Sequence, residues 1–340
     1  MFPGAMFDPP RKPIPSPPGD GPPRLLVVID TEEEFDWSRP HSRENTAVTS
    51  LAAQSPAQAI FDAKGLVPTY VVDYPVATSG LVRETLAPWA AAGRCLIGAH
   101  LHPWVNPPFE EAVSAHLSYP GNLPAALERA KLESLTRAIE ETFGRRPDIY
   151  KAGRYGLGAN STATLEALGY RIDMSVVPYS DFGDDGGPDF TGFDFRPFWF
   201  GSRGDLLAIP LACGFHGRLK RQGPRLYPRL ISPAGLRLHL PGIFARSGLL
   251  ERIRLTTEGV DLAANKRLTR ALLDQGCRLF TLSYHSPSLA PGMTPYVRDQ
   301  GDLERFLGEL EAYLGFFLEE LGGRATTPYE AYEWASQERP

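Results

Sequence analysis

The sequence predicts an α/β protein: a parallel β-sheet curled into a closed or nearly closed barrel, with helices on its outside. Three observations carry this. Short apolar runs rich in β-branched residues alternate with helix-patterned segments in the order β-α-β-α. The connections between successive strand-like runs are too long for hairpins, which makes neighbouring strands parallel. Roughly seven such runs follow the N-terminal arm, as a barrel needs, and none leads into the Gly-x-Gly-x-x-Gly of a dinucleotide-binding sheet.

Taken in order, residues 25–29 form a buried strand that stops at five carboxylates, Asp30, Glu32, Glu33, Glu34 and Asp36. Burying charges of this kind is costly unless they are paired or bind a cation, so the strand presents them at its tip. Residues 47–63 have helical spacing, with Gly65 as the stop. A second strand over 66–73 ends at Asp73. A helix over 81–92 closes at Gly93, and a third strand over 95–98 runs into His100-Leu-His102-Pro-Trp104. Residues 124–143 make a long amphipathic helix. A fourth strand over 148–152 ends at Gly153-Arg154-Tyr155-Gly156, a helix over 161–168 is capped by Gly169, and 171–177 is a fifth strand. Residues 178–204 read as loop and 206–211 as strand, while 217–247, rich in Arg, Pro and Leu, carries no assignable period. A helix over 262–275, a strand over 277–283 that delivers Tyr284 and His285, and a helix over 303–321 complete the pattern. Residues 324–330 have room for a short strand.

Residues 1–23 hold nine prolines, which predicts a disordered or extended polyproline arm ahead of a single barrel domain over 24–335. That arm has no apolar stretch long enough for a signal-peptide core. No run of about 18 apolar residues exists, which excludes a transmembrane helix, and the expected location is the cytoplasm. A net charge of −5 gives no support for binding nucleic acid or an anionic membrane. Cys95, Cys213 and Cys277 are widely spaced and read as buried free thiols.

Polar residues collect at the strand ends. Asp30, Asp73, His100 with His102, Arg154 with Tyr155, and His285 would share one face of a parallel barrel. If the chain stays extended past each strand, Asp30 and Glu32 point to one side, as do His100 and His102. Two imidazoles and a carboxylate make a three-ligand site with open positions, the arrangement of catalytic zinc, with iron, manganese, cobalt or nickel as substitutes. Glu33, Glu34 and Asp36 read as a solvated acidic turn, and His41, His116, His216 and His239 as core or surface residues. His285 is a general acid across the metal, a fourth ligand or a core histidine. Arg154 either fixes the base carboxylate or forms a surface salt bridge. Trp37, Trp104, Tyr155 and Tyr284 suit the walls of a sugar site or the core, and residues 289–293 suit an acyl pocket.

These motifs resemble the polysaccharide deacetylase family (NodB-homology, carbohydrate esterase family 4). Its WalW-like branch is the nearest match, through Asp30-Thr-Glu-Glu-Glu-Phe-Asp-Trp37, His100-Leu-His-Pro-Trp104, Ser118-Tyr-Pro-Gly-Asn-Leu123, Ala152-Gly-Arg-Tyr-Gly156, Gly186-Gly-Pro-Asp-Phe190 and Ser283-Tyr-His-Ser-Pro287. The resemblance implies a deformed (β/α)7 barrel and metal-dependent removal of an N-acyl group, acetyl foremost, from an amino-sugar glycan or its precursor. It implies Asp30 as base, Arg154 as the partner of that base, His285 as acid and His100 as the first metal histidine. Three positions depart from the family pattern. Thr31 stands where a second aspartate is usual, leaving Glu32 as the metal carboxylate. Trp104 stands four beyond His100, leaving His102 as the second histidine. Arg154 and Tyr155 are adjacent, without the usual intervening proline. Two other readings remain: an amidase acting on a small amide, cyclic imide or formylated sugar, and a non-catalytic glycan-binding barrel.

Overall fold

β1 (Arg24–Thr31) is the strand on which the sheet is assembled. On one side it pairs in parallel with β10 (Leu279–His285), from Arg24 opposite Leu279 to Asp30 opposite His285. On the other side it pairs with β2 (Thr69–Val72), followed by β3 (Leu96–Leu101), β4 (Ile149–Ala152), β5 (Ile172–Asp173) and β7 (Leu206–Ala208), all parallel. β6 (Phe198–Phe200) adds an antiparallel edge to β7, and β11 (Arg324–Ala325) lies beside the start of β1. The structure, a computed structural model, describes residues 21–337. Most of the expected proline arm lies outside the described residues.

Side-chain parity organises everything else. Successive residues of a strand point to opposite faces. Leu25, Val27 and Ile29 accordingly pack with the outer helices, and Leu26 and Val28 pack inside the curl with Val71, Ile149, Ile172 and Leu279. The inner column of β1 therefore continues into Asp30, that of β3 into His100 and His102, that of β4 into Lys151, and that of β10 into Ser283 and His285. The bottom of the curl is plugged by Ala331 and Ala335 of the helix Pro328–Gln337.

The ladder does not close on itself. The gap between β7 and β10 is crossed by chain rather than by strand: Leu211 N donates to Val176 O (2.9 Å), Ala212 N to Thr281 O (3.2 Å) and Ser283 N to Leu255 O (3.3 Å). This crossing segment carries an antiparallel ribbon of β8 (Cys213–His216) and β9 (Glu251–Arg254). Residues 217–247, without assignable period, form three short helices on that ribbon, Gly223–Leu230, Pro233–Arg237 and Leu240–Arg246.

Several expected elements are interrupted for local reasons. The first helix is split into a 3-10 turn, Thr49–Ala53, and an α-helix, Ser55–Ala63, with Pro56 in its first turn. The second is divided into Gly80–Glu84 and Leu86–Ala91. The long helices Ala125–Phe143, Leu262–Leu273 and Gln300–Gly315 match expectation closely, the last starting at Asp299, whose carboxylate caps Asp302 N (2.8 Å). Cys95, Cys213 and Cys277 are buried and unpaired.

Candidate active site

The inner columns of β1, β3, β4 and β10 deliver their polar ends to one cavity of about 550 Å3, on whose lining Asp30, Glu32, His100, His102 and His285 meet. Two corners can be distinguished within it.

In the first corner, Glu32 Oε2 lies 3.4 Å from His100 Nε2 and 3.5 Å from His102 Nε2. The opposite nitrogen of each ring is already engaged. His100 Nδ1 is 2.8 Å from Lys151 O, a carbonyl that only accepts, so that nitrogen carries the proton and Nε2 is left as a lone pair. His102 Nδ1 is 2.7 Å from Glu33 Oε2. Glu32 Oε1 is buried with no hydrogen-bond partner among the described residues. Three donor atoms that converge, one of them on an orphaned buried carboxylate, fit a divalent cation, and the engaged Nδ1 atoms are the outer hydrogen bonds that hold histidine ligands in place.

Glu33 is the first correction to the expected site. It is fully buried rather than part of a solvated turn. Two residues past the end of β1, it turns away from the inner column, accepts from Trp104 Nε1 (2.7 Å) and meets His102, while its N–H donates to Asp73 Oδ2 (2.7 Å). Burial pushes the Glu33 carboxyl up to about 8 and raises Asp73 as well. Asp73 also caps Val76 N (2.8 Å), so it braces Glu33 from behind. Glu34 and Asp36 do stay on the surface, as caps of Ser50 and Ser38.

The second corner is Asp30. Both of its oxygens accept from Lys151 Nζ, which also donates to Ser283 Oγ (3.2 Å). Burial would raise this carboxyl, but Lys151, His100 and His285 outweigh it and hold it at about 2. His285 Nε2 stands 3.7 Å from Asp30 Oδ2. Its Nδ1 is 2.8 Å from Glu258 Oε2, and Glu258 Oε1 accepts from His285 N (3.0 Å) and Ser288 Oγ (2.6 Å). Burial alone would lower this imidazole, yet the charges of Glu258, Glu32 and Asp30 carry it up to about 10. The ring is thus held by Glu258 through Nδ1, with Nε2 facing the cavity.

Arg154, expected beside Asp30, is elsewhere. Its guanidinium pairs with Asp185 Oδ2 (2.8 Å), donates to Ser118 Oγ (2.6 Å) and lies 4.1 Å over the Tyr119 ring at the cavity rim. Arg154 and Tyr155 both have left-handed backbone conformations (φ 53° and 60°), a strained pair that turns the chain off the β4 axis before the arginine can reach inward. Lys151, still within β4 and on its inner face, takes that place.

The four aromatic candidates separate by parity and burial. Trp37 lines the cavity, edge-on to His285 at 4.9 Å, and so does Tyr155. Trp104 also touches the cavity, but it is buried, stacked on His102 (4.3 Å) and tied to Glu33, so it serves the histidine. Tyr284 does not line the cavity: one residue out of step with His285, it faces the helix layer and packs on Phe306. Residues 289–293 do not line the cavity either; Tyr296 does. His41, assigned to core or surface, stacks on Trp104 at 4.0 Å and lines the cavity, with burial lowering its imidazole to about 4. Arg254, from the unforeseen ribbon, reaches the cavity and donates to Tyr155 Oη (2.7 Å).

No protein-family model and no curated protein matches the chain. Solved structures do. A protein assigned as a polysaccharide deacetylase, from Mycobacterium smegmatis, matches 96% of this chain and 96% of its own at 16% identity with a TM-score of 0.51. The Puue allantoinase matches 98% of this chain and 99% of its own at 16% identity with a TM-score of 0.54. A protein assigned as a polysaccharide deacetylase from Pseudomonas aeruginosa PAO1 matches 93% and 92% at 14% identity and 0.52. At these identities the likeness establishes the fold: a curled α/β sheet shared with deacetylase-type hydrolases and an allantoinase.

Proposed function

We propose that the protein is a metal-dependent hydrolase that removes an N-acyl group, acetyl foremost, from an amino-sugar-containing saccharide, and that it belongs to the WalW-like branch of the deacetylases. The observation that carries this is the convergence, in one cavity, of a three-donor cation site with a separate carboxylate and a separate imidazole. Glu32, His100 and His102 hold the ion, zinc by ligand type. Such an ion supplies Lewis acidity for the acyl carbonyl and acidifies water. Asp30 accepts the proton of the attacking water, and Lys151 fixes the direction of its oxygens. His285, locked by Glu258 through Nδ1, presents its Nε2 proton to the amine, which leaves poorly as an anion. Trp37 and Tyr155 offer aromatic faces to a sugar ring, and Arg154 shapes the rim.

A second reading, hydrolysis of a small or cyclic amide, is favoured by the cavity, whose size suits a small ligand as well as one or two sugar rings. Acetate release from N-acetylated chito-oligosaccharides, set against turnover of allantoin and cyclic imides, separates the two. Acetate release that is lost in Asp30→Asn supports the proposal. Turnover of the small amides alone assigns the second reading, and no turnover of either class leaves a binding barrel.

A further inference from the structure

The three helices on the β8–β9 ribbon differ in charge from the rest of the molecule. Between Asp205 and Glu251 the chain carries seven Lys and Arg residues and no Asp or Glu, in a protein of net charge −5. Lys220 pairs with Asp274, but Arg218, Arg221, Arg225, Arg229, Arg237 and Arg246 make no ion pair among the described residues. All six are exposed. The three most exposed large apolar side chains among the described residues sit in the same lobe: Leu236 (52%), Leu238 (64%) and Ile243 (51%). These are not loosely placed, because Leu230, Leu240 and Phe244 anchor the helices to Phe215, Tyr179 and Leu250. The ribbon beneath links the lobe to the cavity: Arg252 lies 5.9 Å from the Tyr227 ring of the lobe, and Arg254, two residues on, reaches Tyr155.

Exposed aliphatics are costly in water, and unpaired arginines around them repel one another. A surface that offers both an apolar boundary and phosphate anions satisfies the two at once. We propose that this lobe docks the protein on an anionic lipid surface, with Leu236, Leu238 and Ile243 entering the headgroup–acyl boundary and the arginines meeting lipid phosphates. A nucleic acid fits less well, since single strands favour aromatic stacking platforms and the exposed apolar residues here are aliphatic. Among the described residues no helix is long and apolar enough to cross a membrane, and the proposed contact is a peripheral one.

The test is co-sedimentation of the full chain with vesicles of phosphatidylcholine alone or with about one-third phosphatidylglycerol, a content that sets up a strong negative surface potential. The protein should pellet with the anionic vesicles and not with the neutral ones, and added salt should release it. An Arg225→Glu, Arg229→Glu, Arg237→Glu variant should lose about 100-fold or more in apparent affinity, since three cations at roughly 1 kcal/mol each amount to about 3 kcal/mol. A Leu236→Ser, Leu238→Ser, Ile243→Ser variant should bind several-fold more weakly, and both variants should keep the wild-type melting temperature. Equal binding to neutral vesicles, no binding to anionic ones, or unchanged binding by the charge variant overturns the proposal. So does displacement from vesicles by a short RNA that binds more tightly, or a solution dimer that the serine variant splits.

Discussion

Two corners of one cavity start two residues apart, one on β1 and one just past its end, and reach opposite electrostatic conditions. Around Asp30, every charge has an answer: Lys151 holds both oxygens, and His285 is held in turn by Glu258. Around Glu32 the answers are missing, since one oxygen has no partner among the described residues and two imidazole nitrogens face the other. A finished corner suits proton transfer, because its groups are oriented before substrate arrives. An unfinished corner suits a guest cation, which completes it. The difference follows from which strand supplies the neighbour. β4 brings a lysine to Asp30, while β3 brings only histidines to Glu32.

Breaking the finished corner should have the largest effect. Lys151→Met leaves Asp30 buried and unpaired, and unfolding measurements should show a loss of about 3–5 kcal/mol, with metal content retained in the fraction that folds. Glu258→Gln frees His285 to lose its proton and its orientation. Turnover should fall by about 100-fold while metal content and melting temperature stay near wild type. On the unfinished side, Glu33→Gln removes the carboxylate behind His102 and should weaken metal binding by about 10–100-fold, read by competition with a chelator. Arg154→Ala should cost under about 1 kcal/mol in stability, because its pair with Asp185 is partly exposed, and should leave metal content unchanged. If Arg154→Ala instead behaved like Lys151→Met, the arginine would hold Asp30 after all.

Much of this cavity was legible from strand periodicity. Asp30, Glu32, His100, His102 and His285 all obey the two-residue alternation, and the structure brings all five together. The same rule, applied one residue further, separates Tyr284 from the cavity and adds Lys151 to it. Lys151 was missed because a lysine inside a strand resembles a solvated edge; a cation at the inner parity of β4 was the available signal. Glu33 was misplaced because burial of a carboxylate depends on partners far away in sequence, Asp73, His102 and Trp104. Arg254 ends β9 and Glu258 follows it, and the two strands of that ribbon, Cys-Gly-Phe-His and Glu-Arg-Ile-Arg, are too short to carry a clear period. The net charge of −5 concealed the cationic lobe, because an average over the chain erases a local excess.

In the proposed site Glu32, His100 and His102 take up a divalent ion while Asp30 stays outside its coordination. Elemental analysis of purified wild type, Glu32→Gln and Asp30→Asn tests this most directly. Wild type and Asp30→Asn should each carry about one equivalent of divalent metal, and Glu32→Gln none. Metal absent from wild type, or retained in full by Glu32→Gln, would contradict it.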